Sequence, residues 1–270
     1  MHSEDFKFIS KFLKDRSGLV VTEDKKYLLE TRLQPICRHN GYPDIAALIT
    51  VLRGIIPPAN LVQEVVEAMT TNESMFFRDN RPFEQLKTHI LPNMLAKKGA
   101  DKRLRVWSAA CSNGQEPYSL AMTFREEKAL LGSYNFDIQA TDLDNQVLAK
   151  ARLGIYTQFE IQRGLPIKLL LAYFEQRENN QWQAKQELRQ MINYQKLNLL
   201  DNFSSMGKFD MIFCRNVLIY FDEETKRNVL ERLSACLHPH GILFLGSAET
   251  TIGITTALKP VADVRGAFSL

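Results

Sequence analysis

Apolar residues Phe6, Ile9, Phe12 and Leu13 recur three or four positions apart near the start of the chain, and Ser3 stands ahead of them as a candidate cap. That spacing predicts one buried helix face. A second helix opens at Thr22, with Glu23 and Asp24 early, bases gathered late and Gly41 as the stop. This is the charge order that a helix dipole favours. Helical spacing holds over about the first 70 residues. From about Leu104 the period changes. The apolar runs LRVWSAA, FDIQATD, INYQKLNLL, FDMIFCRNVLIY, GILFLGSA and GAFSL read as strands. Between them lie helical stretches from about Glu116 to Leu131, in NQVLAKARLG and in DEETKRNVLERLSACL, and HPHG reads as a turn between helix and strand. Strands alternating with helices predict a mostly parallel sheet with right-handed crossovers, whose ligand sits outside the carboxyl ends of the strands.

One segment interrupts the alternation. Between Gly154 and Asn193 the chain is about twice as long as a plain connection and rich in glutamine. Its aromatics Tyr173, Phe174 and Trp182 favour a small folded insertion over a solvated excursion. There is no internal repeat and no low-complexity tract.

Composition narrows the partners. The 270 residues are 45% hydrophobic and 24% charged, with a net charge of +3, too mild a balance for a nucleic-acid-binding stripe. The cysteines Cys37, Cys111, Cys214 and Cys236 form no C-x-x-C pair, and they read as reduced, mostly buried thiols. The histidines have no metal-ligand spacing. No stretch approaches the roughly 20 apolar residues of a membrane span. The start, MHSEDFKFISKFLKDR, is amphipathic and acidic early, unlike a cleavable signal, so a cytoplasmic location is expected.

The chemistry lies at the strand ends. The turn CSNGQE after the first strand carries a single glycine, Gly114, and an acid, Glu116. A pyrophosphate site needs closely approaching backbone amides and repels carboxylates, so NAD and ATP fit poorly. S-adenosylmethionine has no phosphate and carries two cationic groups, which a carboxylate would stabilise. Glu116 is equally accounted for as an acid in the first turn of a helix. After the second strand come Asp142 and Asp144; one can cap the following helix while the other takes ribose hydroxyls. The third strand end gives Asn198 and Leu199, and the fourth gives Cys214, Arg215, Asn216 and, further on, Tyr220. On its own, VLIYF reads as core for Tyr220. Lys25 and Arg32, seven apart, with Arg38 beyond, read by default as a solvated basic face, or more sharply as a dock for an acidic partner.

TNESMFFRD, AACSNGQEPYS, ATDLDNQVLAKAR, NLL and FDMIFCRNVLIYFD, in this order and over nearly the whole chain, together resemble the chemotaxis receptor methyltransferase family, CheR. The resemblance implies a Rossmann-like class I S-adenosylmethionine-dependent methyltransferase sheet of α/β class. It adds a small N-terminal all-α domain and an inserted antiparallel β-subdomain. The corresponding spans are 1–75 for the helical, receptor-docking domain and 76–270 for the catalytic one, with the insertion at about 155–195. Carried over position by position, cofactor contacts fall on Asn72, Ser74, Arg78, Glu116 and Asp142. Asn198, Leu199 and the pair Arg215–Asn216 fall near the adenine and methionine ends, and Arg78 and Tyr220 beside the transferred methyl. No metal is implied.

The implied reaction esterifies receptor glutamates and yields S-adenosylhomocysteine; nothing in the sequence demands more than a monomer. The substrate is the acidic coiled coil of the chemoreceptor cytoplasmic domain, which gives Lys25, Arg32 and Arg38 a partner. Some members tether a receptor pentapeptide on a glycine-containing loop of the β-subdomain. Here YFEQRENNQWQAKQEL is short and has no glycine, so independence from such a peptide is expected. Alternatives are a methyltransferase of another protein or of nucleic acid, or a catalytically silent cofactor-binding module that engages receptors. RNVLIYF lacks the prolines usual in amino-methylating nucleic-acid enzymes, and the retained Arg78 and Tyr220 speak against a silent module.

Overall fold

The computed structural model describes residues 1–98 and 102–270, which divide into two compact units. The first comprises Met1–Thr71 and Tyr220–Thr225. Its helices are α1 (Ser3–Ser17), α2 (Lys26–Asn40), α3 (Ile45–Leu52) and α4 (Ala59–Met69). Phe6, Ile9 and Leu13 face inward as their spacing requires, against Leu29, Leu33, Leu48, Val65 and other buried positions of this unit. Gly18 and Gly41 end α1 and α2 in the left-handed conformation that glycine adopts without strain. α4 has no such glycine. Its last carbonyls are taken instead by the Arg32 guanidinium, whose Nη1 donates to Met69 O at 2.9 Å and Thr70 O at 2.8 Å.

Two starts differ from expectation. α1 begins at Ser3 itself, with His2 in the cap position and no side-chain cap. Thr22 precedes a 3-10 turn, Glu23–Lys25, and its carbonyl accepts from Lys25 N at 2.9 Å, so a backbone bond replaces the side-chain cap. Residues 220–225 join this unit through Val20 N donating to Tyr220 O (2.9 Å) and a Lys14–Asp222 ion pair (2.5 Å). Hydrogen bonds from Lys14 and then Thr225 hold the Asp222 carboxyl down at about 2. No described helix is long and apolar enough to cross a membrane.

The second unit is Asn72–Ile219 with Lys226–Leu270. Its sheet has seven strands: β1 (Arg103–Ala109), β2 (Asn135–Asp142), β6 (Ile192–Lys196), β7 (Phe209–Cys214), β8 (Leu237–Leu245), β9 (Lys259–Pro260) and β10 (Ala267–Ser269). They lie in the order β6-β2-β1-β7-β8-β10-β9. The first five are parallel neighbours, and β10 runs antiparallel to both β8 and β9. Strand order reverses between β1 and β7, so their carboxyl ends form the crevice where open α/β sheets bind ligands. β7 is buried at every position, as a central strand covered on both faces must be.

The helices α5 (Arg81–Gln85), α6 (Leu91–Lys97), α7 (Gln115–Glu126), α8 (Lys128–Leu131), α9 (Asn145–Leu153) and α13 (Glu223–Ala235) accompany the sheet. A π turn, Leu86–Ile90, links α5 to α6 just before Pro92, which cannot donate to the ladder. Phe83 on α5 lies 6.5 Å from the Phe213 ring, which stacks on Phe244 at 4.4 Å. The helix expected from about Glu116 to Leu131 is two helices, because Glu127 leaves helical geometry at ψ 19°. HPHG lies inside β8 rather than in a turn. Pairing steps from Phe209–Leu237 to Met211–Ile242, and the extra residues bulge out.

The segment after α9 folds as the insertion its aromatics suggested. Its strands β3 (Ile155–Thr157), β4 (Phe174–Arg177) and β5 (Gln181–Ala184) form an antiparallel sheet in the order β3-β5-β4. The short helices α10 (Gln158–Gln162) and α11 (Ile167–Tyr173) lie between β3 and β4, and α12 (Gln186–Arg189) follows β5. β4 turns into β5 through Asn179 and Asn180, both left-handed (φ 57° and 54°), so asparagine supplies what glycine would in this type of hairpin. Gly164 (φ +95°) packs directly on the backbone of Phe76: a Cβ there would stand 2.1 Å from the Phe76 carbonyl oxygen. Gly164→Ala is therefore expected to cost about 1–3 kcal/mol or more. At roughly 2–4 °C per kcal/mol for a protein near this size, thermal unfolding reads the loss directly. An unchanged Tm would contradict this packing.

Candidate functional site

At the end of β1 the chain turns sharply through Ala110 (φ 59°), Ser112 (φ 49°) and Gly114 (φ 90°) before α7 begins. Cys111 N donates to Thr141 O (2.9 Å), and Ser112 N donates to Asp142 Oδ2 (2.8 Å), which ties the turn to the end of β2. The lone glycine has a packing reason. A Cβ on Gly114 would lie 2.8 Å from Ala151 Cβ and 3.1 Å from the hydroxyls of Tyr156 and Tyr194. Tyr156, from the inserted sheet, donates to Asn113 O at 2.7 Å, so the insertion braces this turn.

The two acids of ATDLD divide their work. Asp144 caps α9, accepting from Gln146 N (2.7 Å) and Val147 N (3.3 Å), while its Oδ2 accepts from Asn72 Nδ2 (2.8 Å). Asp142 is buried at the end of β2, accepting from Ser112 N and, through Oδ1, from Asp144 N (3.0 Å). Burial raises its pKa to about 6, against the opposing pull of these backbone donors. Asn72 reaches the same turn through its own carbonyl, which accepts from Ser112 Oγ (2.9 Å) and Asn113 Nδ2 (3.3 Å).

A second network joins β1, β7 and the segment before α5. The Arg215 side chain is 1% exposed. Its Nη1 donates to Glu116 Oε2 (3.1 Å), and its Nη2 donates to Asp79 Oδ2 (2.8 Å) and to the Arg78 carbonyl (2.9 Å). Glu116 Oε1 accepts from Ser108 Oγ on β1 (2.8 Å). Glu116 is thus more than an acid at a helix start: it is one pole of an ion triad centred on the buried Arg215. Arg78 is half-buried between the left-handed residues Phe77 (φ 49°) and Asp79 (φ 66°), and its Nη1 donates to Glu73 O (3.1 Å). Asn216 (φ 60°) follows Arg215, with its backbone N–H on Glu249 Oε2 at 2.8 Å.

The network leaves acceptors over. Gln115 Oε1, on the first residue of α7, and Asn216 Oδ1, after β7, are buried without a hydrogen-bond partner. Unsatisfied buried acceptors at the two strand ends that flank the switch point suit a ligand bearing N–H donors. Among the described residues, no group of three His, Cys, Asp or Glu side chains could hold a metal ion. All four cysteines are free and buried.

The remaining candidates are placed as follows. Asn198 folds back on its own loop, with Oδ1 accepting from Leu200 N (3.0 Å), beside buried Leu199. Ser74 is half-buried. Tyr220 is half-buried rather than core, and it belongs to the first unit, whereas Asn72 to Asn216 belong to the second. Lys25 and Arg38 are exposed; Arg32 is half-buried, its guanidinium engaged with the end of α4. The sequence reading missed Asp79, Ser108, Tyr156 and Glu249. Asp79 is the last residue of TNESMFFRD and is given no role there, whereas Glu249 lies on an exposed-looking SAET stretch that gives no signal.

Comparison with known proteins agrees with this geometry. The model of the CheR methyltransferase S-adenosylmethionine-binding domain matches residues 72–265, and that of the CheR methyltransferase all-alpha domain matches residues 4–70. Chemotaxis protein methyltransferase 1 of Pseudomonas aeruginosa is 43% identical over 248 residues, covering 91% of this chain and 89% of that protein. Chemotaxis protein methyltransferase Cher2 of Pseudomonas putida is 40% identical, covering 93% and 91%. A chemotaxis protein methyltransferase of Vibrio parahaemolyticus is 37% identical, covering 96% and 93%.

The raised pKa of Asp142 generates a prediction. Below the usual aspartate value of 3.8 the protonated group adds stability to the unliganded protein, and that contribution is lost as pH rises through about 6. Were nucleoside hydroxyls to donate to Asp142, they would favour its ionised form. Affinity for S-adenosylhomocysteine should therefore fall as pH drops below 6, by up to about tenfold per pH unit for one proton. Calorimetric titrations from pH 5 to 8 should show that slope in the wild type and a flat profile in Asp142→Asn. An equal slope in both would place the ribose elsewhere.

Proposed function

The chain belongs to the CheR methyltransferase family, and we propose that it methylates glutamate side chains in the cytoplasmic domains of chemoreceptors. In this reaction a carboxylate oxygen forms a bond to the methyl carbon as the carbon–sulfur bond breaks. Its electron pair passes to sulfur, and a γ-glutamyl methyl ester and S-adenosylhomocysteine result. Bound S-adenosylmethionine supplies an activated methyl on a positively charged sulfur. An acceptor glutamate with a pKa near ~4.3 is already ionised at neutral pH, so the protein needs no general base. Its task is alignment, for which effective-molarity effects of roughly 7–11 kcal/mol are available.

The observation that carries this reading is the presentation of Arg78. Two left-handed neighbours and the Arg215 bond to its carbonyl fix its backbone, while its side chain stays half-buried with one carbonyl partner. A guanidinium held this way can orient a carboxylate through charge-assisted bonds without quenching it. Tyr220 is proposed to act at the methyl, as the resemblance implies. Asp142 takes the ribose, and Asn72, through Asp144 and the β1 turn, braces the nucleoside end together with Ser74, Asn198 and Leu199. Glu116, Arg215 and Asn216 serve the methionine end, where the orphaned acceptors match its ammonium.

Incubation with methyl-labelled S-adenosylmethionine and receptor cytoplasmic fragments should put base-labile label on protein, released as methanol. Base-stable label would point to N-methylation instead. Arg78→Ala should lower methyl transfer far more than cofactor affinity; equal losses would make Arg78 a cofactor contact.

The enzyme is proposed to act as a monomer on the receptor coiled coil, docking through the basic residues of the first unit. Lys25 and Arg38 are free to face an acidic helix, whereas Arg32 also closes α4, so replacing it would disturb folding as well as charge. The double variant Lys25→Glu, Arg38→Glu should raise the receptor KM with cofactor affinity unchanged. A constant KM would remove this surface from docking. The tight Asn179–Asn180 hairpin, with no glycine loop, supports independence from a receptor pentapeptide, which micromolar binding of such a peptide would contradict.

A further inference from the structure

We propose that Glu249 is a positioning residue for methyl transfer, holding the turn after β7 in the shape that presents Asn216. Its carboxylate gathers backbone donors from two strand ends. Oε2 accepts from Gly246 N (2.7 Å) and Asn216 N (2.8 Å), and Oε1 accepts from Val217 N (2.9 Å) and Ile219 N (3.3 Å). Backbone N–H groups of a turn must find acceptors, and for positions 216, 217 and 219 this one side chain supplies them.

The approach is close. A Cβ on Gly246 would meet Asn216 Nδ2 and Glu249 Oε2 at 2.7 Å each. Among the described residues no ion pair reaches Glu249, and its direct partners are four backbone N–H groups. Such charge-assisted bonds are roughly twice as strong as neutral ones.

The clamp also borders solvent. Glu249 is half-buried and lines an open cavity of about 720 Å³ with Arg81, Ile252 and Arg265. It therefore holds a solvent-reachable wall. The turn it holds is strained, since Asn216 is left-handed without being glycine, and an untethered turn would relax. Because Arg215 precedes that residue and is anchored independently on Glu116 and Asp79, loss of the clamp frees the turn from Asn216 onward and leaves the triad in place.

The inference rests on the methyltransferase reading above. Its test uses Glu249→Gln, which keeps the shape but turns an amide N–H₂ toward two N–H donors, and Glu249→Asp, which is too short to reach both loops. Each variant is assayed on whichever acceptor the wild-type chain labels. A wrong acceptor assignment then shows in the wild-type reaction, and a wrong role for Glu249 shows only in the ratio between variants. With one cofactor bound per chain at saturating cofactor and acceptor, Glu249→Gln is expected to lower kcat at least tenfold, beyond any weakening of cofactor affinity through the loosened Asn216. Glu249→Asp should recover only part of it. Hydrogen exchange should speed up at the amides of residues 216, 217 and 219. A kcat per bound cofactor within twofold of wild type, with only Tm lowered, would make Glu249 structural and overturn the proposal. Activity fully restored by raising cofactor concentration would overturn it as well, in favour of a cofactor-binding role.

Discussion

One buried guanidinium organises the crevice. Arg215 is withdrawn from water, and a charge so placed is tolerated only with partners in good geometry. It has two carboxylates and a carbonyl, from two other parts of the chain. Glu116 belongs to the first turn of α7, Asp79 and the Arg78 carbonyl to the segment before α5, and Arg215 itself to the end of β7. Removing Arg215 would strand Glu116 in a poorly solvated position with only the Ser108 hydroxyl. Removing Glu116 would leave the cation with one partly exposed carboxylate. The three segments are therefore positioned together or not at all, and they carry most of the residues proposed to meet cofactor and acceptor.

The backbone stores strain where this network can hold it. Phe77, Asp79 and Asn80, Ala110 and Ser112, and Asn216 are all left-handed without being glycine. Each such residue costs on the order of 1 kcal/mol or more and persists only when its surroundings over-determine it. Around Asp79 that surrounding is Arg215. Around Ser112 it is Asp142 and the Asn72 carbonyl, and around Asn216 it is Glu249. The proposed reaction, which needs no proton removed from its nucleophile, would depend on geometry more than on pKa matching. Rigid, strained loops on a stiff sheet suit that demand.

Periodicity made much of the fold legible. The helical repeat of Phe6, Ile9 and Leu13, the alternation from Leu104 onward and the aromatics of the insertion each correspond to a real element, because burial is what periodicity records. Local starts were less legible. Ser3 and Thr22 look like caps, yet backbone geometry at His2 and in the Glu23–Lys25 turn takes that place. HPHG looks like a turn, because nothing local announces a bulge paired across to Phe209. At the site, the charges were readable one by one, but their pairing was not. Glu116 and Arg215 lie 99 positions apart, and only the parallel register of β1 with β7 brings them together.

The lone glycine of CSNGQE shows how a correct inference can rest on an incomplete cause. The turn lacks the other glycines because no phosphate has to approach its backbone. It keeps Gly114 for a different reason: α9 and two tyrosines crowd the place where a side chain would go. One of those tyrosines comes from the inserted sheet and holds the Asn113 carbonyl. The insertion is therefore part of the support of the turn beside the cofactor crevice. A change that loosened the inserted sheet would reach that turn through Tyr156, with no residue of the crevice altered.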